Sequence, residues 1–458
     1  MKILVVMNQF GAFRHCESVA AALVEDGQQV VLYINTLTKK EISDEAIKEF
    51  VTRSKVDNYQ LFNRTKSIWY PLTRFIRDLI GYHVYLIPNM TSDSYRKHYL
   101  GRVSNLARVF LNTDRFSKIL LNPDKFHVLR SLLLRIPPDG RIIKDLKHIK
   151  PDVILVLSNL PWDGQELEYI RAGLKMRIPT ALQILSWDNL TTKGTFDVMP
   201  DAVLLWNSSI EKEAEILHGV PLEKIIITGA PTFDYLFSLG PSCSYEDFCK
   251  KINLSSDLKY ITYLGSSASI SGDETSFVKE FIRYLRSRME INILIRPHPL
   301  NYKHWSDFEE PGVVVWPRNG KLPDTIDSKQ DFFDTIYHSM AVIGVNTSAM
   351  IEATIINRPC ISIKAEQFRS SQSEMGHFRH LVNGGFLYLA DDIGHASNIL
   401  LAILSGTDVL QEKRKKFVES FIRPLMLQHS AGNFVAQAVT LLGQGENAQE
   451  INSHLLQF

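Results

Sequence analysis

Two segments in the last third of the chain carry residue types that act together on a phosphorylated ligand. One is Ile295-Arg296-Pro297-His298-Pro299; the other is Gly344-Val345-Asn346-Thr347-Ser348, with Glu352 following. The first offers a cation and an imidazole, and its two prolines restrict the backbone on either side of His298. The second offers amide and hydroxyl donors, with Glu352 one helical turn beyond Ser348. Donors and positive charge suit phosphate, while a carboxylate suits the hydroxyls of a ribose. A third segment, Gly265-Ser266-Ser267, is a small-residue loop through which backbone can approach a nucleotide closely. This set implies a nucleotide-dependent transferase, with Arg296, His298, Asn346, Thr347, Ser348, Glu352, Gly265, Ser266 and Ser267 on the donor side.

A second group lies in the first half. Moving a group onto a hydroxyl requires a base, and two residues are candidates. His15 stands at the start of the first helical pattern. Asp163 stands in a loop with Asn159, Trp162 and Gly164, after the apolar run Val153 to Leu157. Arg14, Trp162, Asp188 and Asn189 are read as acceptor or cleft contacts. His377 and His380, near Gln372 and Glu374, are placed on the donor side. Their spacing fits no metal pair, and no Asp-x-Asp triplet occurs in the candidate loops. The expectation is no metal and no cofactor, with Arg296, His298 and the helix start at Thr347 holding the charge a cation would otherwise neutralise.

These loops need a frame to hold them. Ile291 to Ile295 and Ala341 to Val345 are apolar and β-branched, so each reads as a buried strand opening into its loop at the carboxyl end. That edge is where open α/β sheets bind ligands. Similar runs occur at 3–7, 29–34, 152–157, 180–185, 202–205 and 224–228, and again at 259–264, 312–316 and 360–363. Helical patterns such as 165–175, 210–217 and 274–288 separate several of them, which implies parallel sheets covered on both faces. The expected organisation is an α/β domain over 1–236 with a helical insert at 63–150, a linker at 237–257, and a nucleotide domain over 258–414. A C-terminal helical segment at 415–458, broken at Pro424, completes it. Near the N-terminus only Gly11 occurs between the first strand and helix, so the three-glycine dinucleotide fingerprint is missing, against a nicotinamide or flavin enzyme.

The 458 residues are 45% hydrophobic and 22% charged, as in a water-soluble globular chain. Met1 to Met7 is too short for a signal peptide and reads as a first strand. No run approaches the roughly 20 apolar residues of a membrane span. Four scattered cysteines fit a reducing cytoplasm. Net charge is +1, yet residues 63–150 hold 17 Lys and Arg against 6 Asp and Glu, a local +11. Trp69, Tyr70, Phe75, Tyr82, Tyr85, Tyr99 and Phe110 are interspersed there. Basic residues mixed with aromatics suit an anionic membrane surface; an ordinary solvated helical face is the alternative. No nucleic-acid-binding motif accompanies the charge.

This layout resembles the GT-B glycosyltransferase superfamily over most of the chain, which implies two Rossmann-like domains facing across a cleft. Ser186-Trp187-Asp188-Asn189-Leu190, Trp206-Asn207-Ser208 and Gly229-Ala230-Pro231-Thr232-Phe233-Asp234 resemble bacterial surface-carbohydrate proteins. Among these are CDP-glycerol glycerophosphotransferase-like enzymes and relatives of UDP-N-acetylglucosamine 2-epimerase. Asp163-Gly164, His298-Pro299 and Thr347-Ser348 fall in the order of three motifs of transferases using CMP-activated sugars, although Trp162 stands where those carry an acidic residue. The resemblance implies transfer of a sugar from a CMP-, CDP- or UDP-linked donor to a glycan or lipid-linked acceptor, for capsule, O-antigen or lipopolysaccharide. The site would be cytoplasmic, at the inner face of the cell membrane. A glycerophosphotransferase-like polymer synthase, an epimerase-like isomerase and a non-catalytic scaffold remain open alternatives.

Overall fold

The computed structural model describes every residue except 8–9, 36–43, 57, 63–66, 89, 114–122, 161–165, 269 and 458; at 10–11, 35, 44–46, 58–59, 61–62 and 123–126 it describes the backbone alone. Two compact units emerge: Met1–Asp234 with Glu419–Phe458, and Tyr235–Val418. Each is built on one parallel sheet.

In the first unit the strands are β1 (Lys2–Met7), β2 (Gln29–Asn35), β3 (Asn58–Phe62), β4 (Val153–Ser158), β5 (Thr180–Ile184), β6 (Ala202–Leu205) and β7 (Ile225–Ile227). They lie in the order β3-β2-β1-β4-β5-β6-β7. Side chains alternate across the sheet with the period of two that a strand imposes. Val153, Leu155 and Leu157 enter the core shared with Val19, Leu23, Phe434 and Val439. Ile154 points the other way, toward Gly173 on the Leu167–Met176 helix.

The second unit contains β8 (Tyr260–Leu264), β9 (Asn292–Arg296), β10 (Val313–Val315), β11 (Val342–Gly344), β12 (Cys360–Ile363) and β13 (Leu387–Ala390). Their order is β10-β9-β8-β11-β12-β13. Ile261, Ile293 and Ile343 pack with Phe281 and Leu400 in one core, while Tyr260 and Leu294 face Phe248 and Cys249 in another. Register puts the ends of three neighbouring strands at one level: Leu264 is opposite Arg296 on β9 and opposite Gly344 on β11. The order of connection reverses between β8 and β11, making this a switch point with room above the carboxyl ends.

Three details differ from the sequence expectation. The edge strands β3 and β13 were not anticipated; each is short and pairs along one side only, so burial leaves little periodic pattern. Residues 237–257, expected as a linker, belong to the second unit. Tyr245–Lys251 is a helix, and Phe248, Cys249, Ile252 and Leu254 cover a face of the sheet. In the C-terminal segment the chain leaves the Gln411–Phe417 helix through a π-helical turn at Val418–Ile422 and resumes as a helix only at Ala431–Gly443.

Within the first unit, the insert uses much of its charge internally. Arg77 donates to Glu168 at 2.6 Å and also to Asp197. Arg130 donates to the carbonyls of Phe196 at 2.8 Å and His218 at 2.6 Å. Tyr82, Tyr85 and Tyr99 form a satellite core with Ala107 and Leu111. These three of the seven aromatics are therefore buried, which corrects the expectation for them that they join the basic residues at a membrane surface; Trp69 stays exposed.

Candidate active site

In the second unit, the loops leaving β9, β8 and β11 meet because their strands are neighbours. Gly265, Arg296, Pro297, His298, Thr347 and Ala349 line one pocket, together with Leu264, Pro299, Lys321, Pro323 and Phe332. Gly265 lets two of these loops touch: a Cβ there would lie 3.2 Å from the His298 nitrogen. The cavity, about 50 Å³, holds a phosphate group but not a whole nucleotide sugar.

His298 is oriented by its own loop. The backbone N–H of Leu300 donates to Nδ1 at 3.1 Å. A neutral imidazole bonded in this way carries its proton on Nε2 and presents a donor there. Thr347 is half-buried and Ser348 exposed at the start of the Ala349–Ile355 helix; the Ser348 side chain makes no capping bond.

Arg296 lines the same pocket, with its guanidinium already engaged. It is 6% exposed, pairs with Asp331 at 3.2 Å and donates to the Thr335 hydroxyl at 2.8 Å. Its guanidinium also lies over the Phe332 ring, 4.8 Å from the centroid. Burial alone would raise the Asp331 carboxyl, but Arg296, Lys251 and Trp316 together hold it below the usual carboxylate range. Arg296 thus closes the pocket floor with its charge already paired. Lys321, in the segment after β10, is exposed and lines the same pocket. Sequence reasoning missed it because nothing local ties it to loops that end on other strands.

The remaining donor-side candidates hold the loops in shape. Ser266 is buried, and its N–H donates to the Glu274 carboxylate at 3.0 Å. Asn301 donates to the carbonyls of Ser266 and Ser271, both at 3.2 Å. Ser267 is half-buried beside them and does not line the pocket. The Asn346 amide turns inward, donating to the Ser371 carbonyl at 3.0 Å and lying 3.4 Å from His377 Nε2. Gln372 donates to the carbonyls of Val345 and Ile363. Glu352 accepts from the Tyr235 hydroxyl at 2.9 Å. Neither His377 nor His380 lines the pocket.

In the first unit, β1 and β4 are neighbours at the corresponding reversal of strand order, and the loops of the two candidate bases follow them. Asp163 and Trp162 lie outside the described residues. His15 is 8% exposed. Burial, with Arg14 adding to it, holds its pKa well below the usual histidine value. Arg14 Nε donates to His15 Nε2 at 3.2 Å, so the neutral ring's one lone pair is engaged. Asp188 accepts from the hydroxyls of Ser186 at 2.6 Å and Thr192 at 3.2 Å. Asn189, buried, accepts from the Ser186 N–H at 3.0 Å. Both shape their own turn.

Gly229–Asp234, one of the segments that carry the sequence likeness, is a docking element within the first unit. A Cβ at Gly229, whose φ is +86°, would lie 2.8 Å from the Ile422 carbonyl, and the Ala230 N–H donates to that same oxygen at 2.9 Å. Among the described residues no group of three or more His, Cys, Asp or Glu could hold a metal ion.

No family model matches the sequence. No curated protein matches it either. Solved structures do match along nearly the whole length. UDP-GlcNAc 2-epimerase from Neisseria meningitidis, solved bound to UDP-GlcNAc, matches with TM-score 0.55 and 11% identity, over 97% of this chain and 100% of that one. The Methanocaldococcus jannaschii UDP-GlcNAc 2-epimerase gives 0.51 and 13%, over 97% and 100%. A glycosyltransferase from Rickettsia africae gives 0.51 and 12%, over 100% and 98%. At these identities the likeness establishes the fold: the chain is an α/β protein with the GT-B fold.

Proposed function

We propose that this chain is a glycosyltransferase of bacterial surface-polysaccharide assembly. It takes a sugar from a CMP-, CDP- or UDP-linked donor and places it on a glycan or lipid-linked acceptor, without a metal. The observation that carries this reading is the convergence of Gly265, His298, Lys321 and Thr347 on one pocket at the reversal point of the second sheet.

In the reaction, the acceptor oxygen forms a bond to the anomeric carbon as the bond from that carbon to the phosphate oxygen breaks. Negative charge develops on the departing phosphate. His298 Nε2–H and Lys321 are the donors assigned to it, and charge-stabilising donors of this kind act most strongly where charge appears only in the transition state. The acceptor proton passes to a base. Because the His15 lone pair accepts from Arg14, Asp163 is the preferred assignment and His15 the alternative.

A second reading has specific support, since UDP-GlcNAc 2-epimerases match over nearly the full length. An isomerase would use the same nucleotide pocket but no acceptor. The test begins with a thermal-shift panel of CMP, CDP, UDP, UMP, GDP and ADP, on the protein and on His298→Ala. Ligand bound only to the folded state raises the melting temperature. Stabilisation by a cytidine or uridine nucleotide, lost in the variant, supports the donor site; no response to any of them refutes it and favours the scaffold. Chromatography of the matching nucleotide sugar then separates the enzymes. Isomerised sugar without acceptor identifies an epimerase, and nucleotide release that depends on acceptor identifies a transferase.

A further inference from the structure

Among the described residues, 17 large apolar side chains are exposed, and eight of them fall between residues 68 and 134. This clustering occupies less than a sixth of the chain. It includes Ile68 at 89% exposure, Leu106 at 57% and Val109 at 68%, with Leu72, Leu132 and Leu134 also exposed. They stand on or beside the helices Tyr70–Tyr82, Asn105–Leu111 and Pro123–Arg135, of which the first packs against both others. The inner faces of these helices already hold the satellite core around Tyr82 and Tyr99. Helices apolar on both sides call for a second non-aqueous neighbour.

We propose that this helical face docks on an anionic lipid bilayer. Charge decides the occupant. The arginines Arg74, Arg77, Arg108 and Arg130 are spent on carboxylates and backbone carbonyls. Lys97, Arg135, Lys144, Lys147 and Lys150 remain exposed in the same insert. Lysine is depleted at protein–protein interfaces, whereas exposed aliphatics on an insert that carries exposed lysines and a local charge of +11 over residues 63–150 match the headgroup zone of an anionic bilayer. Among the described residues no helix is long and apolar enough to cross a membrane, so contact is with the surface. The inference goes beyond the nucleotide reading, because this face contains none of the phosphate-pocket residues.

The test is co-sedimentation of the full chain with vesicles of phosphatidylcholine alone or with phosphatidylglycerol added. Binding is expected to the anionic vesicles, weakened several-fold at about 0.5 M salt. Leu106→Glu with Val109→Glu should reduce it about tenfold, and Lys144→Glu with Lys147→Glu should reduce it on anionic vesicles specifically. Melting temperature and nucleotide response, unchanged in both variants, show that the fold and the pocket survive. Absence of binding to anionic vesicles overturns the proposal, as does binding that both variants retain. Self-association abolished by the Glu pair, with no vesicle binding, overturns it in favour of a second copy of the chain as occupant.

Discussion

The Leu300 N–H donates to Nδ1 of His298 across two residues of one loop, at 3.1 Å. This contact selects which ring nitrogen carries the proton, and so makes His298 a hydrogen-bond donor at Nε2. His298→Ala should weaken nucleotide binding by about tenfold to a hundredfold, the worth of one charge-assisted hydrogen bond. His298→Gln keeps an N–H donor at similar reach and should recover part of the loss. Titration calorimetry with the nucleotide found in the thermal panel measures both. Equal loss in the two variants would argue against a donor role.

Arg296 and Lys321 line the same pocket but should fail differently. Arg296→Ala leaves the half-buried Asp331 to Lys251 and Trp316 alone and removes a buried guanidinium packed on Phe332, which should cost about 2 kcal/mol of stability. Its signature is a lower melting temperature without any ligand. Lys321→Ala should leave that temperature unchanged while weakening nucleotide binding about threefold to tenfold, more at low salt than high. Denaturant unfolding and binding, measured on both variants, read the two effects separately.

Asp234 accepts four hydrogen bonds in the first unit: from Arg423 at 2.8 Å, from the N–H groups of Ala431 at 3.0 Å and Gly432 at 2.8 Å, and from the Ser18 hydroxyl at 2.8 Å. One carboxylate therefore caps the Ala431–Gly443 helix and fixes it to the first helix. Asp234→Ala strands a buried guanidinium and two helix-end donors, and should destabilise the unit by about 3 kcal/mol or more. Asp234→Asn keeps an acceptor and should cost less. Urea unfolding of both variants gives the order; equal stabilities would contradict the capping account.

His218 sets an acid limit on stability. Burial pushes its pKa down to about 3, and its Nε2 is 2.7 Å from the Leu190 carbonyl. An unfolded histidine titrates near about 6.5, so on acidification the unfolded chain takes up a proton that the folded chain refuses. Stability then falls with pH, by about 3 kcal/mol at pH 4 from this residue. His15 acts in the same direction. His218→Phe should lose about 1 kcal/mol at neutral pH from the missing bond, yet show a smaller further loss on acidification. Chemical denaturation at several pH values tests this, and an unchanged slope would assign the acid sensitivity elsewhere.

Apolar runs such as Ile291 to Ile295 were legible as strands because backbone pairing buries them on both faces, and that requirement is written into adjacent residues. The positions of Gly265, His298 and Thr347 at strand ends followed directly, since a loop must begin where the run stops. Tertiary pairing alone settled which charges stay available. Arg296 is neutralised by Asp331, Asn346 turns toward Ser371, and Lys321 reaches a pocket whose other walls come from distant strands. The difference is one of range. Periodicity reports whether a residue is buried and thus survives in local sequence, whereas a side chain's partner depends on strand order and register, which bring together residues that nothing along the chain connects.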